Sequence, residues 1–367
     1  MRTSRGPQWC VSDADCAGRA KSPLGSSSAW SRGTVTCPDD TNAPVCYADG
    51  GAAGMISNDP AVNPLANNWN KVFFNCAPCC EKWRCSAHAT CSPHPRASAP
   101  APHTHAPARS ADCDGGSYAG GVLAPQQVGA DTIYYRGRYI LDAVYATLAT
   151  AGFGLRAATS LVVKGCSAGG LAVYLHADYV AGLMRAIAPA ARVLAAPGAG
   201  LFLDVPGFDG GYHYRDNYAW VFSRMNASAG VNADCVAATP PADAARCFNA
   251  AYTIPFVKTP LFISNSLADS WQAGNIMALP CNPGGCGGDK AKEAAVEAYL
   301  AAFRGEMVAA LAPVLSSKRH GGFLQSCFVH VVEDIDGSFA RVRINNATRR
   351  YHDLTPARRP EPPANSP

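Results

Sequence analysis

From Gly137 to Ala151, apolar residues fall at 140, 141, 144, 145 and 148, the spacing of one helix face. Ser160-Leu161-Val162-Val163-Lys164 follows as a compact β-branched run and predicts a buried strand. Ala168 to Leu183 predicts a helix with Leu171, Tyr174 and Leu175 on one face. Ala190 to Ala196 and Pro260 to Ser264 predict two further strands. Glu293 to Leu311, rich in Ala with Glu and Arg on its polar side, predicts another helix. Strands alternating with long helices imply an α/β fold, with a mostly parallel central sheet flanked by helices. No internal repeat is present.

The flanks read differently. Residues 9–75 are rich in Gly, Asp, Asn and Pro, and only Lys71-Val72-Phe73-Phe74 looks like a short buried strand. Residues 77–112 carry Cys79, Cys80, Cys85, Cys91, His88, His94, His103 and His105, and include the Pro- and Ala-rich run Pro93 to Arg109. Such a run cannot pack a core, so a disordered insertion is expected. Phe328 to Val332 is expected to close the ordered region, and Thr355 to Pro367 is a Pro-rich tail. The predicted organisation is one α/β domain over 1–345, interrupted by the insertion at 77–112 and followed by a disordered tail over 346–367.

Composition narrows the setting. Of 367 residues, 48% are hydrophobic and 16% charged, which permits a large core and argues against global disorder. The net charge is +4, and the arginines are scattered without a basic stripe, so no nucleic-acid partner is indicated. No apolar run is long enough for a membrane-spanning helix. Sixteen cysteines, an even number, suit disulfides in an oxidising compartment. Cys10 with Cys16, Cys235 with Cys247, and Cys281 with Cys286 are close enough in sequence to pair. The triplets Asn226-Ala227-Ser228 and Asn346-Ala347-Thr348 are glycosylation sequons, which agree with a secreted or lumenal protein. Met1 to Gln8 holds no apolar signal-peptide core, so the natural N-terminus is expected to lie upstream. The alternative is a cytosolic chain with many free thiols.

The most informative stretch is Gly165-Cys166-Ser167-Ala168-Gly169-Gly170. It holds the pattern Gly-x-Ser-x-Gly between a predicted strand and a predicted helix. In that setting the serine sits on a sharp, strained turn, and the flanking glycines let strand and helix approach. The helix N-terminus then directs N–H groups at the reacting centre, with the Ala168 N–H a natural oxyanion donor. A tight strand-to-helix turn that happens to hold serine is the plain alternative. A nucleophilic Ser167 needs a base and an orienting carboxylate, in the chain order Ser, Asp or Glu, His. Asp269 follows the strand at 260–264, past the expected loop Asn265-Ser266-Leu267-Ala268. His320 and His330 both satisfy the order, and His352 falls in the polar tail. Cys166 and Cys327 adjoin candidate residues and read as core thiols or disulfide partners.

Several blocks together resemble the pectin acetylesterase family, which includes the Notum-type Wnt deacylases. They are Trp9-Cys10 with Asp13-Ala14-Asp15-Cys16, Arg19-Ala20-Lys21 and Leu24-Gly25-Ser26-Ser27; Gly54-Met55-Ile56-Ser57 with Asn63-Pro64 and Trp69-Asn70-Lys71-Val72; and Asp114 to Gly120 with Tyr135-Arg136-Gly137. Gly165 to Asp178, Asn265 to Gln272 and Ser326-Cys327-Phe328-Val329-His330 complete the set. The resemblance covers about 9–76 and 113–345. It implies an α/β-hydrolase-like fold with Ser167 as nucleophile, Asp269 as orienter and His330, rather than His320, as base. It further implies hydrolysis of O-acyl esters, typically acetyl groups on a pectin-like polysaccharide, with no metal or other cofactor. The Notum branch would instead remove a fatty acyl group from a protein. Gly165-Cys166-Ser167 and Asp269-Ser270-Trp271-Gln272 look more like the pectin-acting branch.

The chain departs from that pattern in three places. The family's Gly-Gly-Gly before Trp is here Gly6-Pro7-Gln8. Pro7 has no N–H, which leaves Gln8 and Trp9 as the expected oxyanion donors beside Ala168. A damaged oxyanion loop would make the chain a catalytically impaired, ligand-binding homologue. Residues 77–112 interrupt a Cys-Asp-Gly-x-Ser run that excision would restore, as for a retained intron or a lineage-specific loop. A zinc site from Cys76, Cys79, Cys85, His88, Cys91 and His94 is the third reading, and it lacks the apolar framework such modules use. Pro197-Gly198-Ala199-Gly200 replaces a stretch usually containing Asp-Ala-Gly.

Overall fold

Strand β3 (Ser160–Cys166), helix α2 (Ala168–Ile187) and strand β4 (Arg192–Gly198) form the first parallel crossover of the sheet. They belong to a computed structural model that describes residues 115–129, 131–150 and 153–330. Upstream lie a short antiparallel hairpin, β1 (Gln126–Val128) and β2 (Asp131–Ile133), and helix α1 (Gly137–Leu148). Downstream come α3 (Arg215–Arg224), α4 (Ala233–Ala238), α5 (Ala250–Thr253), β5 (Phe262–Ala268), α6 (Ser270–Asn275), α7 (Lys290–Leu315) and β6 (Gly321–Phe328).

Among the described residues the main sheet has the order β3-β4-β5-β6, all parallel. Parallel strands need long crossovers, and helices supply them here. Helix α2 packs on β3 and β4, and α7 packs on β5 and β6. The stripe Val296, Leu300, Phe303, Met307, Leu311 and Val314 buries one face of α7, and the Asp289 carboxylate caps its start by accepting the Lys292 N–H at 3.0 Å. Helix α2 is buried on more than the one face that its spacing predicts. Leu171, Tyr174 and Leu175 join the main core, while Val180 and Met184 form a second cluster with Leu141 and Tyr145 of α1.

The sheet elements near its later strands differ from the sequence reading. Residues 265–268 are the second half of β5 rather than a loop. Asn265 and Ser266 are fully buried, and their polarity hides a strand whose buried side chains find backbone partners; the Leu201 N–H donates to Asn265 Oδ1 at 3.4 Å and the Ala268 N–H to Ser266 Oγ at 3.0 Å. The last strand of the described residues, 321–328, is one that the sequence reading did not assign. Strand β3 is half-buried, with Lys164 exposed, because it ends the four-strand order. Between β5 and β6 the register slips by one residue, with Ser266 opposite Gln325 and Ala268 opposite Phe328. A bulge of this kind re-aims side chains just where both strands end.

Every described residue belongs to one compact unit. The predicted strand at 71–74, the insertion, the tail and the domain limits at 1 and 345 lie outside the described residues. Two of the three expected cysteine pairs are disulfides, Cys235–Cys247 and Cys281–Cys286, and the third pair lies outside the described residues. No helix of the described residues is long and apolar enough to cross a membrane.

The glycines around the β3–α2 turn are not equivalent. A Cβ on Gly165 would sit 2.1 Å from the Gly169 carbonyl oxygen. A Cβ on Gly169 would meet nothing, so the second glycine of the motif is not required by space. The close approach falls instead between Gly170 and Gly200, where a Cβ on Gly200 would lie 2.3 Å from the Gly170 carbonyl carbon and 2.4 Å from the Leu171 nitrogen. Both neighbours are backbone and cannot turn aside. Gly200→Ala is therefore expected to lower stability by about 1–3 kcal/mol. The check is the midpoint of urea unfolding; an unchanged midpoint would show that the two segments part freely.

Candidate active site

Three strand ends deliver the predicted residues to one place. Ser167 is the single residue between β3 and α2 and adopts φ 58°, ψ −123°, a strained conformation for a side chain with a Cβ. Its N–H donates to the Gly198 carbonyl at 2.9 Å, and its carbonyl accepts the Leu171 N–H at 3.0 Å, so both flanking elements hold the turn. Its hydroxyl projects from the C-terminal end of the sheet, as the strand-turn-helix motif requires.

Asp269 is the first residue after β5 and the N-cap of α6. Its Oδ1 accepts the backbone N–H groups of Trp271 at 2.9 Å and Gln272 at 3.1 Å. These bonds aim the carboxylate. His330 lies two residues beyond β6. Its Nδ1 is 2.9 and 3.0 Å from the two Asp269 oxygens, and its Nε2 is 2.7 Å from Ser167 Oγ. An ionised carboxylate only accepts, so Nδ1 carries the proton and Nε2 offers a lone pair to the serine hydroxyl. Ser167, Asp269 and His330 are buried, with exposures of 1%, 0% and 2%. Screening by water is weak there, and each unmade hydrogen bond would be costly.

The structure does not bring His320 to this place. It precedes β6, at the opposite end of that strand from His330, and its Nδ1 accepts the Leu261 N–H at 3.1 Å. Burial, with the charge of Arg319, lowers its pKa. The Ala168 N–H heads α2, where helix N–H groups have no intrahelical acceptor. Cys166 ends β3 as a half-buried residue, one position before the turn. Gln8, Trp9, His352 and the cysteine–histidine set from Cys76 to His94 lie outside the described residues. Among the described residues no group of three or more His, Cys, Asp or Glu could hold a metal ion.

Sequence reasoning assigned no role to the residues that enclose His330. The Trp271 ring lies 5.8 Å from the imidazole, tilted by 33°, and Phe202 lies 6.2 Å away. Phe202 and Trp271 meet edge to face at 5.1 Å. Gln272 ties α6 to the segment carrying Phe202: its Nε2 donates to the Leu201 carbonyl at 2.9 Å, and its Oε1 accepts the Leu203 N–H at 3.1 Å. Trp271 and Gln272 stand in the block that carried the resemblance, but Phe202 has no local signal. His176 was also passed over. It is buried on α2, with Nε2 3.0 Å from the Ser117 carbonyl and, among the described residues, no hydrogen-bond partner on Nδ1. Burial pushes its pKa down to about 4, the charge of Arg138 adds to this, and the Ser117 carbonyl and Asp142 oppose it.

A parallel sheet with helices and a serine, histidine and aspartate joined at the strand ends defines a protein of the α/β-hydrolase class. The Wnt deacylase Notum from Drosophila shares the fold, with a TM-score of 0.59 at 19% identity in one crystal form, covering 94% of this chain and 83% of that one. A second crystal form of the same protein gives a TM-score of 0.58. Pectin acetylesterase 7 of Arabidopsis thaliana is 27% identical over 332 residues, 89% of this chain and 69% of its own length. Pectin acetylesterase 5 of the same plant is 26% identical over 356 residues, 94% of this chain and 68% of its own length. The family described as Pectinacetylesterase matches residues 110–352. The chain belongs to the pectinacetylesterase family, a family of carboxylic ester hydrolases.

Because His176 is neutral when folded, the unfolded chain binds one more proton between pH 6.5 and about pH 4. Its contribution to stability is fully present above the unfolded pKa and is lost as the pH falls through that window, at up to about 1.4 kcal/mol per pH unit. His176→Gln, which keeps a donor toward Ser117, is expected to flatten the decline in urea-unfolding free energy between pH 6.5 and 4. Parallel slopes in the two proteins would contradict the assignment.

Proposed function

We propose that the chain hydrolyses O-acetyl esters on a pectin-like polysaccharide through an acyl-enzyme on Ser167. The observation that carries this reading is the 2.7 Å contact from Ser167 Oγ to His330 Nε2, with Asp269 on the other ring nitrogen. His330 takes the serine proton as Oγ attacks the ester carbonyl, and Asp269 stabilises the imidazolium. The tetrahedral oxyanion is held by the Ala168 N–H, with Gln8 and Trp9 as the further donors, each worth about 3 kcal/mol of barrier. Collapse expels the sugar hydroxyl, protonated by His330, and leaves the acetyl group on Ser167. Water, deprotonated by the same histidine, then attacks the acyl carbon and releases acetate. The scheme uses no metal ion and no organic cofactor.

The family membership and the plant relatives named pectin acetylesterase support the acetyl-polysaccharide substrate. The disulfides Cys235–Cys247 and Cys281–Cys286 support a secreted or lumenal setting.

A fluorophosphonate probe is expected to label the folded protein and to fail on Ser167→Ala. Folded protein that takes no label would favour the impaired, ligand-binding reading. Acetate release from acetylated pectin, set against release of long-chain acyl groups from a lipidated peptide, tests the substrate class. Turnover of the lipidated peptide alone would favour a deacylase of the Notum kind. Asp269→Asn keeps an oxygen for the Trp271 and Gln272 N–H groups but no longer fixes the imidazole tautomer. By analogy with other serine hydrolases, kcat should fall about ten-thousandfold with little change in melting temperature. A loss under tenfold would remove Asp269 from the mechanism.

A further inference from the structure

Residues 115–120 hold a backbone conformation that is costly without support. Gly115, Ser117 and Tyr118 have φ of 73°, 50° and 62°, and the Ala119 N–H closes the turn on the Gly116 carbonyl at 2.9 Å. Two successive non-glycine residues at positive φ are strained, because each carries a Cβ that crowds the following carbonyl. What they place is a hydroxyl. Ser117 is fully buried, and its Oγ donates to the carbonyl of Ala168 at 3.1 Å, across 51 positions of sequence. The Ser117 carbonyl in turn accepts from His176 Nε2 at 3.0 Å. A carbonyl only accepts, so His176 carries its proton on Nε2 and meets Ser117 as a neutral donor.

We propose that Ser117 is a positioning residue for the oxyanion donor, fixing Ala168 through its hydroxyl while His176 anchors Ser117 from the next turns of α2. The inference rests on the reading of Ser167 as nucleophile and of the Ala168 N–H as oxyanion donor. Ala168 follows the strained Ser167 directly, and its N–H direction depends on how the first turn of α2 is seated. The Ser117 hydroxyl grips the carbonyl of the same residue from outside the helix and removes that freedom. A donor that drifts by about 1 Å loses most of its selectivity for the transition state, about a hundredfold in rate. The ester in its ground state gains little from the same N–H, so the effect falls on kcat rather than KM.

The test compares Ser117→Ala and Ser117→Gly. If residue 117 matters only for its backbone conformation, glycine is the better substitute, because it adopts positive φ freely. If the hydroxyl matters, both variants lose it. The expected result with p-nitrophenyl acetate is a kcat lowered about ten- to a hundredfold in both, with KM within about twofold of the parent. His176→Gln, which keeps a donor near the Ser117 carbonyl, should stay close to the parent, and His176→Leu should resemble Ser117→Ala. Should both Ser117 variants fail to fold, the His176 pair decides: equal kcat for Gln and Leu overturns the proposal. A Ser117→Gly protein with the parent's kcat also overturns it. If the parent itself takes no fluorophosphonate label at Ser167, the nucleophile reading falls and the inference with it. If the parent labels and Ser117→Gly labels at the same rate, the inference alone falls.

Discussion

One residue separates β3 from α2, and the chain must reverse within it. Ser167 does so at positive φ, a conformation that costs about 1–3 kcal/mol for a residue with a Cβ. The turn persists because its surroundings fix it. Gly165 lets the Gly169 carbonyl come near, Gly170 and Gly200 let the helix start rest on the chain leaving β4, and the Ser167 N–H is held by Gly198. The stretch Gly198-Ala199-Gly200 thereby has a clear use. Its backbone forms the floor on which the turn sits, with Ala199 at φ 47° and its N–H donating to the Ser264 carbonyl at 2.7 Å. Strain at Ser167 is thus carried by the packing of β3, β4 and β5 together.

The other two members of the array depend on that placement. Parallel order puts the C-terminal ends of β3, β5 and β6 on one edge of the sheet, so residues 167, 269 and 330 converge although they are far apart in sequence. Each is then oriented by a local device. Asp269 is held as a helix cap, and His330 is enclosed by Phe202 and Trp271, with Gln272 bridging the elements that carry them. The aromatic enclosure excludes water from the Asp269–His330 bond and leaves the imidazole little room to turn.

Much of this was legible in the sequence, and the unread parts have physical reasons. The motif around Ser167 is local, so spacing exposes it. The elbow glycine that matters for space is Gly170 rather than Gly169, because the contact is with a segment thirty positions away that no local pattern shows. Asp269 could be found from chain order, but the half-strand before it could not, since its buried polar residues look like a loop until their hydrogen bonds are seen. His320 and His330 satisfy chain order equally, and only family resemblance separated them before the fold put them at opposite ends of β6. Helix α3 buries only Tyr218 and Val221, too weak a stripe to register. Phe202 reaches the site through tertiary packing alone, and Ser117, although it stands in one of the resembling blocks, meets Ala168 only through the fold.

The account stands on an ester bond forming at one oxygen. The direct measurement is peptide mapping by mass spectrometry of the protein quenched in acid during turnover of an acetyl ester. The account predicts an acetyl group on Ser167, absent from protein quenched before substrate is added. Acetylation of Cys166 instead, or turnover with no acylated residue trapped at any time of quenching, would contradict it.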